Sequence, residues 1–318
     1  MHVLVTGGAG YIGSVASALL LEAGYEVTVL DNLSQGFQDA IPAGAHFIEG
    51  DIADFDKHIP PSIAIDAVVH LAGFIAAGES MQMPEVYWQN NTVGTLALLN
   101  ALRARGIRKF VFASTAAVYG EPVETPLTEN ATTTPTNVYG MTKLAADMAI
   151  TSEAWAHGLD ATSLRFFNVA GAYKTYGERH PHETHIIPLL FEAAKGRVSA
   201  FTIFGTDYPT IDGTCLRDYI HVYDLARAIQ LSLEATHPSE HHIYNLANNK
   251  GFTNQQVVAA VKKVTGAEFP VVTGPRRKGD PAALIASNQK AKDELGWEPT
   301  IPSLETMIAD AWQFSKNS

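Results

Sequence analysis

Through the first half of the chain, short runs of nearly uninterrupted apolar residues alternate with longer stretches in which apolar residues recur every three or four positions. The short runs are "HVLVT" (2–6), "EVTVLD" (26–31), "AHFIEGDI" (45–52), "AVVHLAG" (67–73), "KFVFAST" (109–115) and "DATSLRFFNVAG" (160–171). Their length and β-branched content predict strands. Between them, "YIGSVASALLLEAGY" with Gly24 at its end, "VYWQNNTVGTLALLNALRARG" closed by Gly106, and "NVYGMTKLAADMAI" (137–150) have helical spacing. Strands that are apolar on both faces and separated by helices predict a parallel sheet covered on both sides. The expected fold is therefore α/β, a doubly wound (Rossmann) sheet over residues 1–171. Past residue 171 the loops lengthen and turn polar, with helices predicted at 186–196, 222–235 and 254–265. Residues 172–318 are expected to form a smaller α/β domain. "HHIYNLA" (241–247) is a strand candidate for returning to the first sheet.

Composition narrows the function classes. Of 318 residues, 46% are hydrophobic and 17% charged, which suits a folded chain with a sizeable core. The net charge of −11 argues against a nucleic-acid groove, which needs clustered Lys and Arg, and the "PRRKG" run at 275–279 is too short to change that. The single cysteine, Cys215, excludes an internal disulfide framework and a cysteine zinc site. The opening "MHVLVTGGAG" has no basic stretch, so a signal peptide is not expected. No apolar run approaches the roughly 18 residues a membrane helix needs, so the expected location is the cytoplasm.

The chemistry begins at "VTGGAGYIG". Gly7, Gly10 and Gly13 form a G-x-x-G-x-x-G array between a strand and a helix. Glycine permits the tight turn, the close approach of backbone to a pyrophosphate and the close packing of helix on strand. The helix N-terminus adds N–H donors for the phosphates. Asp31 follows at the end of the second strand, where a carboxylate accepts hydrogen bonds from a ribose 2′-hydroxyl and repels a 2′-phosphate. NAD rather than NADP is the expected cofactor. Ligands of such sheets sit at the carboxyl ends of the strands. Asp51 and Ile52 after the third strand, Leu71, Ala72 and Gly73 after the fourth, and Thr115 after the fifth are thus candidates to border it.

Tyr139 and Lys143 stand four apart on a predicted helix, hence on one face. An ammonium near a phenol stabilises the phenolate and lowers the tyrosine's pKa. A phenolate can take a proton from an alcohol while a nicotinamide takes the hydride from the same carbon. Thr115 is placed to relay that proton. A strand-end hydroxyl followed by Tyr-x-x-x-Lys, downstream of a dinucleotide loop, is specific as a set although each part is common.

This set resembles the extended short-chain dehydrogenase/reductase superfamily. The longer motifs "VTGGAGYIGS", "DNLS", "VGTL", "ASTAAVYGEP", "YGMTK", "LRFFNVAGA", "IFGTDYPTIDGTCLRDYIHVYDLA" and "IYNLA" resemble those of the UDP-glucose 4-epimerase family over nearly the whole chain. The resemblance implies that residues 1–171 bind NAD and residues 172–318 bind a nucleotide sugar. It implies redox-neutral inversion at C4 of a UDP-hexose: Tyr139 takes the 4-hydroxyl proton, NAD holds the hydride, and the 4-keto sugar turns over before reduction. It further assigns cofactor contacts to Tyr11, Ile12, Asp31, Asn32, Leu33, Ser34, Gly36, Asp51, Ile52, Leu71, Ala72, Gly73, Asn90, Tyr139, Lys143 and Phe167. To the substrate it assigns Thr115, Asn168, His185, Thr202, Ile203, Phe204, Arg217, Arg277, Asp280 and Leu284. The chemistry agrees for the two arginines, since a guanidinium binds phosphate oxygens bidentately. A homodimer is the expected assembly.

Four positions depart from the family pattern. Thr115 stands where a serine is usual, which keeps the hydroxyl with less freedom about χ1. Ile75 stands where relatives often carry a lysine near the NAD pyrophosphate, Phe166 where a tyrosine is common. Leu284 replaces the tyrosine that some members place beside the sugar. That last change leaves room and raises the alternative of another UDP-sugar, N-acetylated, pentose or uronate. The histidines of "ERHPHETH", His180, His182 and His185, fit no common ligand spacing and read as a solvated or substrate-covering loop with no metal. Cys215 reads as a packed small residue.

Overall fold

The computed structural model describes residues 1–181, 183–277 and 280–317. His182, and Lys278 and Gly279 of the basic run, lie outside the described residues. The six apolar runs become β1 (His2–Thr6), β2 (Glu26–Asp31), β3 (His46–Glu49), β4 (Ala67–His70), β5 (Lys109–Thr115) and β6 (Asp160–Phe166). A late strand, β10 (His241–Leu246), completes a seven-stranded sheet of order β10-β6-β5-β4-β1-β2-β3. Every pairing in it is parallel.

The strands are apolar on both faces because both faces are covered. Val3 and Val5 point to one side, where they pack with α1 (Tyr11–Glu22) and α5 (Val222–Glu234). Leu4, between them, points to the other side, where Phe110 and Phe112 meet α2 (Gly94–Ala104) and α3 (Val138–His157). Alternation along a strand assigns residues to these two layers. Each fully buried aliphatic or aromatic side chain contributes roughly 1.5–3 kcal/mol.

Residues past 171 contribute to both bodies of the molecule. Helix α5 packs on α1, and α7 (Gln289–Leu295) with Trp297 joins the same core. The second body is built from α4 (Ile186–Ala194), α6 (Asn254–Thr265) and α8 (Leu304–Ser315), which share Leu190, Phe191, Val257, Met307 and Ile308. Its short strands are β7 (Asn168–Ala170), β8 (Phe201–Phe204), β9 (Leu216–His221), β11 (Gly251–Thr253), β12 (Val271–Gly274) and β13 (Ala283–Leu284). Among the described residues no helix is long and apolar enough to cross a membrane.

Two elements differ from the sequence expectation. The run 160–171 is not one strand. It leaves the large sheet after Phe166, and β7 pairs instead with β9, placing Asn168 opposite Tyr219. Phe167, at the step, packs with Ala116, Val118, Leu127 and Ala286, and Leu284 leans on the same cluster. The apolar run continues through the break because both destinations are buried. The second difference is a π-helical turn, Trp88–Val93, inside the predicted helix 86–106. Such turns widen a helix locally and recur at functional sites. Here the turn directs Asn91 into the interior.

Candidate active site

The carboxyl ends of β1, β2, β4 and β5 meet along one edge of the sheet, and the glycine loop is folded against that edge. Gly7 has φ +73°, and a Cβ on it would lie 2.5 Å from the Ala72 nitrogen. A Cβ on Gly13 would lie 2.1 Å from the Gly7 carbonyl oxygen. Both positions are therefore closed to any other residue. Ser14 N–H bonds the Gly10 carbonyl and opens α1, and Gly36 packs on Ala9.

Asp31 is buried at the end of β2. One carboxylate oxygen accepts the Ala9 N–H at 3.0 Å and the other the Leu33 N–H at 2.8 Å. A carboxylate has about four acceptor positions, so lone pairs remain for hydroxyls. Burial raises the Asp31 pKa, and these backbone bonds oppose the rise. Leu33, at φ +56°, turns the loop so that the Ser34 N–H reaches Asn32. Asn32 donates to Asp51 at 3.0 Å, and Asp51 caps the turn at Ile52 through the Ala53 N–H. Leu71 and Ala72 lie against Gly7, with the Leu71 N–H on the Thr6 carbonyl. This edge fits a dinucleotide: a loop free of side chains, an open helix N-terminus and an acceptor-only carboxylate. NAD rather than NADP suits it, because the Asp31 carboxylate accepts from a ribose 2′-hydroxyl and repels a 2′-phosphate.

The residues expected to handle the proton lie at the end of β5. The Thr115 hydroxyl oxygen accepts the Ala117 N–H at 3.1 Å, capping the turn that follows the strand. Its own proton is thus free to point at Tyr139, whose phenol it stabilises in the ionised form. Tyr139 enters α3 just after its cap, where Asn137 accepts the Gly140 N–H at 2.8 Å. The Tyr139 N–H donates to the buried Ser80 hydroxyl at 3.0 Å. Gly140 fixes the approach of helix to strand end, since a Cβ there would lie 2.6 Å from the Ala117 carbonyl oxygen.

Lys143 is expected beside the phenol, and in this structure its ammonium is engaged by β5. Nζ donates to the Ala113 carbonyl at 3.0 Å and sits 4.7 Å above the Phe112 ring. Burial raises the Tyr139 pKa above 10, and Thr115 alone opposes it. Burial also lowers Lys143 to about 8, with Asp147, four residues along the helix, pulling it back up.

Several residues that the sequence reading passed over hold this arrangement. Asn91 accepts the Phe74 N–H at 2.8 Å and donates to the Phe74 carbonyl at 2.9 Å and to Thr142 at 3.2 Å. It ties the loop after β4 to the catalytic helix, whereas the expected contact, Asn90, donates to Asn91. Asp147 accepts from Ser114 at 3.0 Å and from Arg165 at 3.1 Å, and both members of that ion pair are buried. The spacing of Lys143 and Asp147 is the one signal of this network visible in the sequence.

The expected substrate residues gather in two groups. Arg217 is paired with Asp280, and Leu284 is its strand partner. Arg277 lies 4.2 Å above the Phe204 ring, beside Thr202 and Ile203 on β8. Asn168 stands opposite Tyr219 in register, and burial pushes the Tyr219 phenol up to about 12 while Asn168 favours its ionised form. Cys215 is buried with its thiol pushed up by burial. His185, expected at the substrate, is exposed and paired with Glu178 and Glu183, each at 2.8 Å. Those carboxylates raise His185 to about 10 and His180 to about 9 against the effect of burial.

Comparison with known proteins agrees with this geometry. The profile of the NAD dependent epimerase/dehydratase family matches residues 3–247. The chain is 51% identical to a UDP-glucose 4-epimerase of Corynebacterium glutamicum over 99% of this chain and 96% of the relative. It superposes on a crystal structure of a UDP-glucose 4-epimerase with a TM-score of 0.95 at 42% identity, covering 100% and 98% of the two chains. The Bifidobacterium longum enzyme, solved in complex with NAD+ and UDP, gives a TM-score of 0.94 at 32% identity over 100% and 99%. Glycine loop, strand-end acid, tyrosine-lysine helix and near-complete coverage lead to one assignment: the chain belongs to the NAD dependent epimerase/dehydratase family.

Proposed function

We propose that this protein is a UDP-glucose 4-epimerase that interconverts UDP-glucose and UDP-galactose. The observation that carries this is Tyr139 seated beside Thr115 at the carboxyl edge of a dinucleotide-binding sheet, in a chain that matches UDP-glucose 4-epimerases along its whole length. When bound, NAD supplies the two-electron acceptor that stores and returns the hydrogen of the sugar's C4. Gly7, Gly10, Tyr11, Ile12, Gly13, Asp31, Asn32, Asp51 and Lys143 would hold it.

Tyr139 takes the proton of the 4-hydroxyl and later returns it, so the net reaction consumes no oxidant. Thr115 orients the phenol and offers it a hydrogen bond in the ionised form. Lys143 keeps a positive charge at the end of β5 below about pH 8, with Asp147 supporting that charge. Arg217 and Arg277 would take the diphosphate, with Arg217 releasing Asp280, which is then free to accept from a ribose hydroxyl. Leu284 borders the sugar from the cluster that also holds Ala116 and Phe167.

Two further readings rest on the same chain. Exposed apolar residues line the π turn, α2 and α3: Val93, Leu96, Met141, Met148 and Trp155, the last three spaced by seven so that they share one helix face. Such a stripe on adjacent helices suits a second copy of the chain, and sedimentation at twice the 34.3 kDa chain mass is the check. The one cysteine is free and buried, which suits a reducing cytoplasm.

The test is turnover of purified protein with UDP-glucose and UDP-galactose, with no added reductant, beside N-acetylated and pentose analogues. The expected result is equilibration of the two hexoses at the highest kcat/KM of the panel. Tyr139→Phe should lower kcat by about 10²–10⁴-fold, the range of a positioned acid–base group. Folded protein that turns over neither hexose would end the proposal.

A further inference from the structure

We propose that Glu178, His180, Glu183 and His185 form a binding site for one divalent cation, matched best by zinc. One donor atom from each of the four side chains lies within 4.8 Å of all the others. His185 Nδ1 is 2.8 Å from Glu178 Oε1 and 2.8 Å from Glu183 Oε1. His180 Nδ1 is 3.3 Å from Glu178 Oε1 and 3.4 Å from Glu183 Oε2. A tetrahedral zinc with bonds near 2.0–2.1 Å holds its ligand atoms about 3.3–3.4 Å apart. The four side chains span that spacing, with both oxygens of Glu183 engaged, and one donor atom from each lies near enough to share a single ion.

The donor set fits as well as the distances. Two imidazole nitrogens and two carboxylate oxygens suit zinc, and four protein ligands close the coordination sphere in the manner of a structural site. Charge leads to the same place. With neutral rings, two carboxylates face each other across the cluster. A proton on each ring balances them but sets two cations side by side, with ring centroids 5.3 Å apart. One divalent ion carries the same total charge at a single central point and removes both repulsions.

The position of the cluster assigns it a structural role. Glu178 follows a small hairpin, Ala172–Tyr173 with Tyr176–Gly177, that packs on α1. His185 is the residue before α4, so an ion here would close the segment 178–185 into a loop tied at both ends. The fields of Glu178 and Glu183 reach Tyr11, the first residue of α1, whose hydroxyl donates to the Gly171 carbonyl at 2.6 Å. The ion would thus pin the entry to the second body against the start of the cofactor loop.

The experiment is metal analysis of the full chain, purified without chelator or histidine tag, then stripped with EDTA and titrated with zinc chloride by calorimetry. The expected result is one zinc per chain and a melting temperature that falls on stripping and recovers with zinc. Glu183→Gln and His180→Gln should each weaken zinc binding by at least about 10–100-fold, the loss seen even for outer-sphere partners. Wild-type protein that neither carries zinc nor takes it up at micromolar concentration would overturn the proposal. So would undiminished zinc in the Glu183→Gln/His180→Gln double variant, which would place the metal elsewhere. The wild-type measurement decides even where a variant fails to fold.

Discussion

At the carboxyl edge of the sheet, Tyr139 is held by buried groups that are already bonded within the protein. Ser80 takes its N–H, Gly140 presses on Ala117, and Asp147 and Arg165 lie buried beneath. In the segment carrying Phe204, Arg217, Arg277 and Asp280, the functional side chains instead satisfy one another at the surface or near it. Arg217 pairs with Asp280, Arg276 with Asp207, and Arg277 rests on Phe204. The first region is built before any ligand arrives, which suits chemistry that depends on placing a proton within a fraction of an ångström. The second must exchange its internal partners for those of a ligand. The energy of nucleotide binding is therefore a difference between two ion pairings, and affinity there is easier to change than the reaction.

The sharpest way to break this contrast is to remove one partner from the buried pair. Asp147→Ala leaves Arg165 charged and unpaired in the core and should cost about 3–5 kcal/mol of stability, read by urea unfolding. Arg217→Ala should leave the fold intact and raise KM for the UDP-sugar about 10–100-fold. That is the loss of a charge-assisted bond of roughly 1.5–3 kcal/mol, with kcat changed much less.

The buried lysine supplies a pH test. Lys143 falls from its ordinary 10.5 to about 8 in the folded chain. Between those values the unfolded chain binds the extra proton, so this residue's contribution to stability rises with pH. From pH 7.5 to 9.5, cofactor-free wild type should gain roughly 2 kcal/mol relative to Lys143→Met, as measured by urea unfolding at both pH values. The smallest effect belongs to the exposed pair. Arg276→Ala should leave the urea midpoint where it is, because solvent screens its bond to Asp207.

The same contrast explains what the sequence made legible. The strands of the sheet were readable because burial on both faces leaves continuous apolar runs, and the glycine loop because close approach restricts each position to one residue type. The proposed catalytic trio was readable because its parts follow those landmarks at fixed offsets. The roles of Asn91 and Arg165 were not, since they depend on contacts to Thr142 and Asp147, 51 and 18 residues distant. The π turn leaves no mark, because it shifts helical periodicity by a single residue. The break at Phe167 is hidden by the apolar character of both sheets it joins. The pairing of Lys143 with Ala113 rather than with the phenol also required coordinates, since helical spacing fixes a shared face and not where a long side chain ends.

The central claim is that Tyr139 serves a reaction in which hydrogen leaves C4 and returns to it without leaving the site. The direct test uses UDP-galactose carrying deuterium at C4, converted by the purified protein in ordinary water and followed by NMR. The account predicts UDP-glucose with the deuterium retained at C4 and no net reduced cofactor. Loss of the deuterium to solvent, or formation of the product only with added reductant, would contradict it.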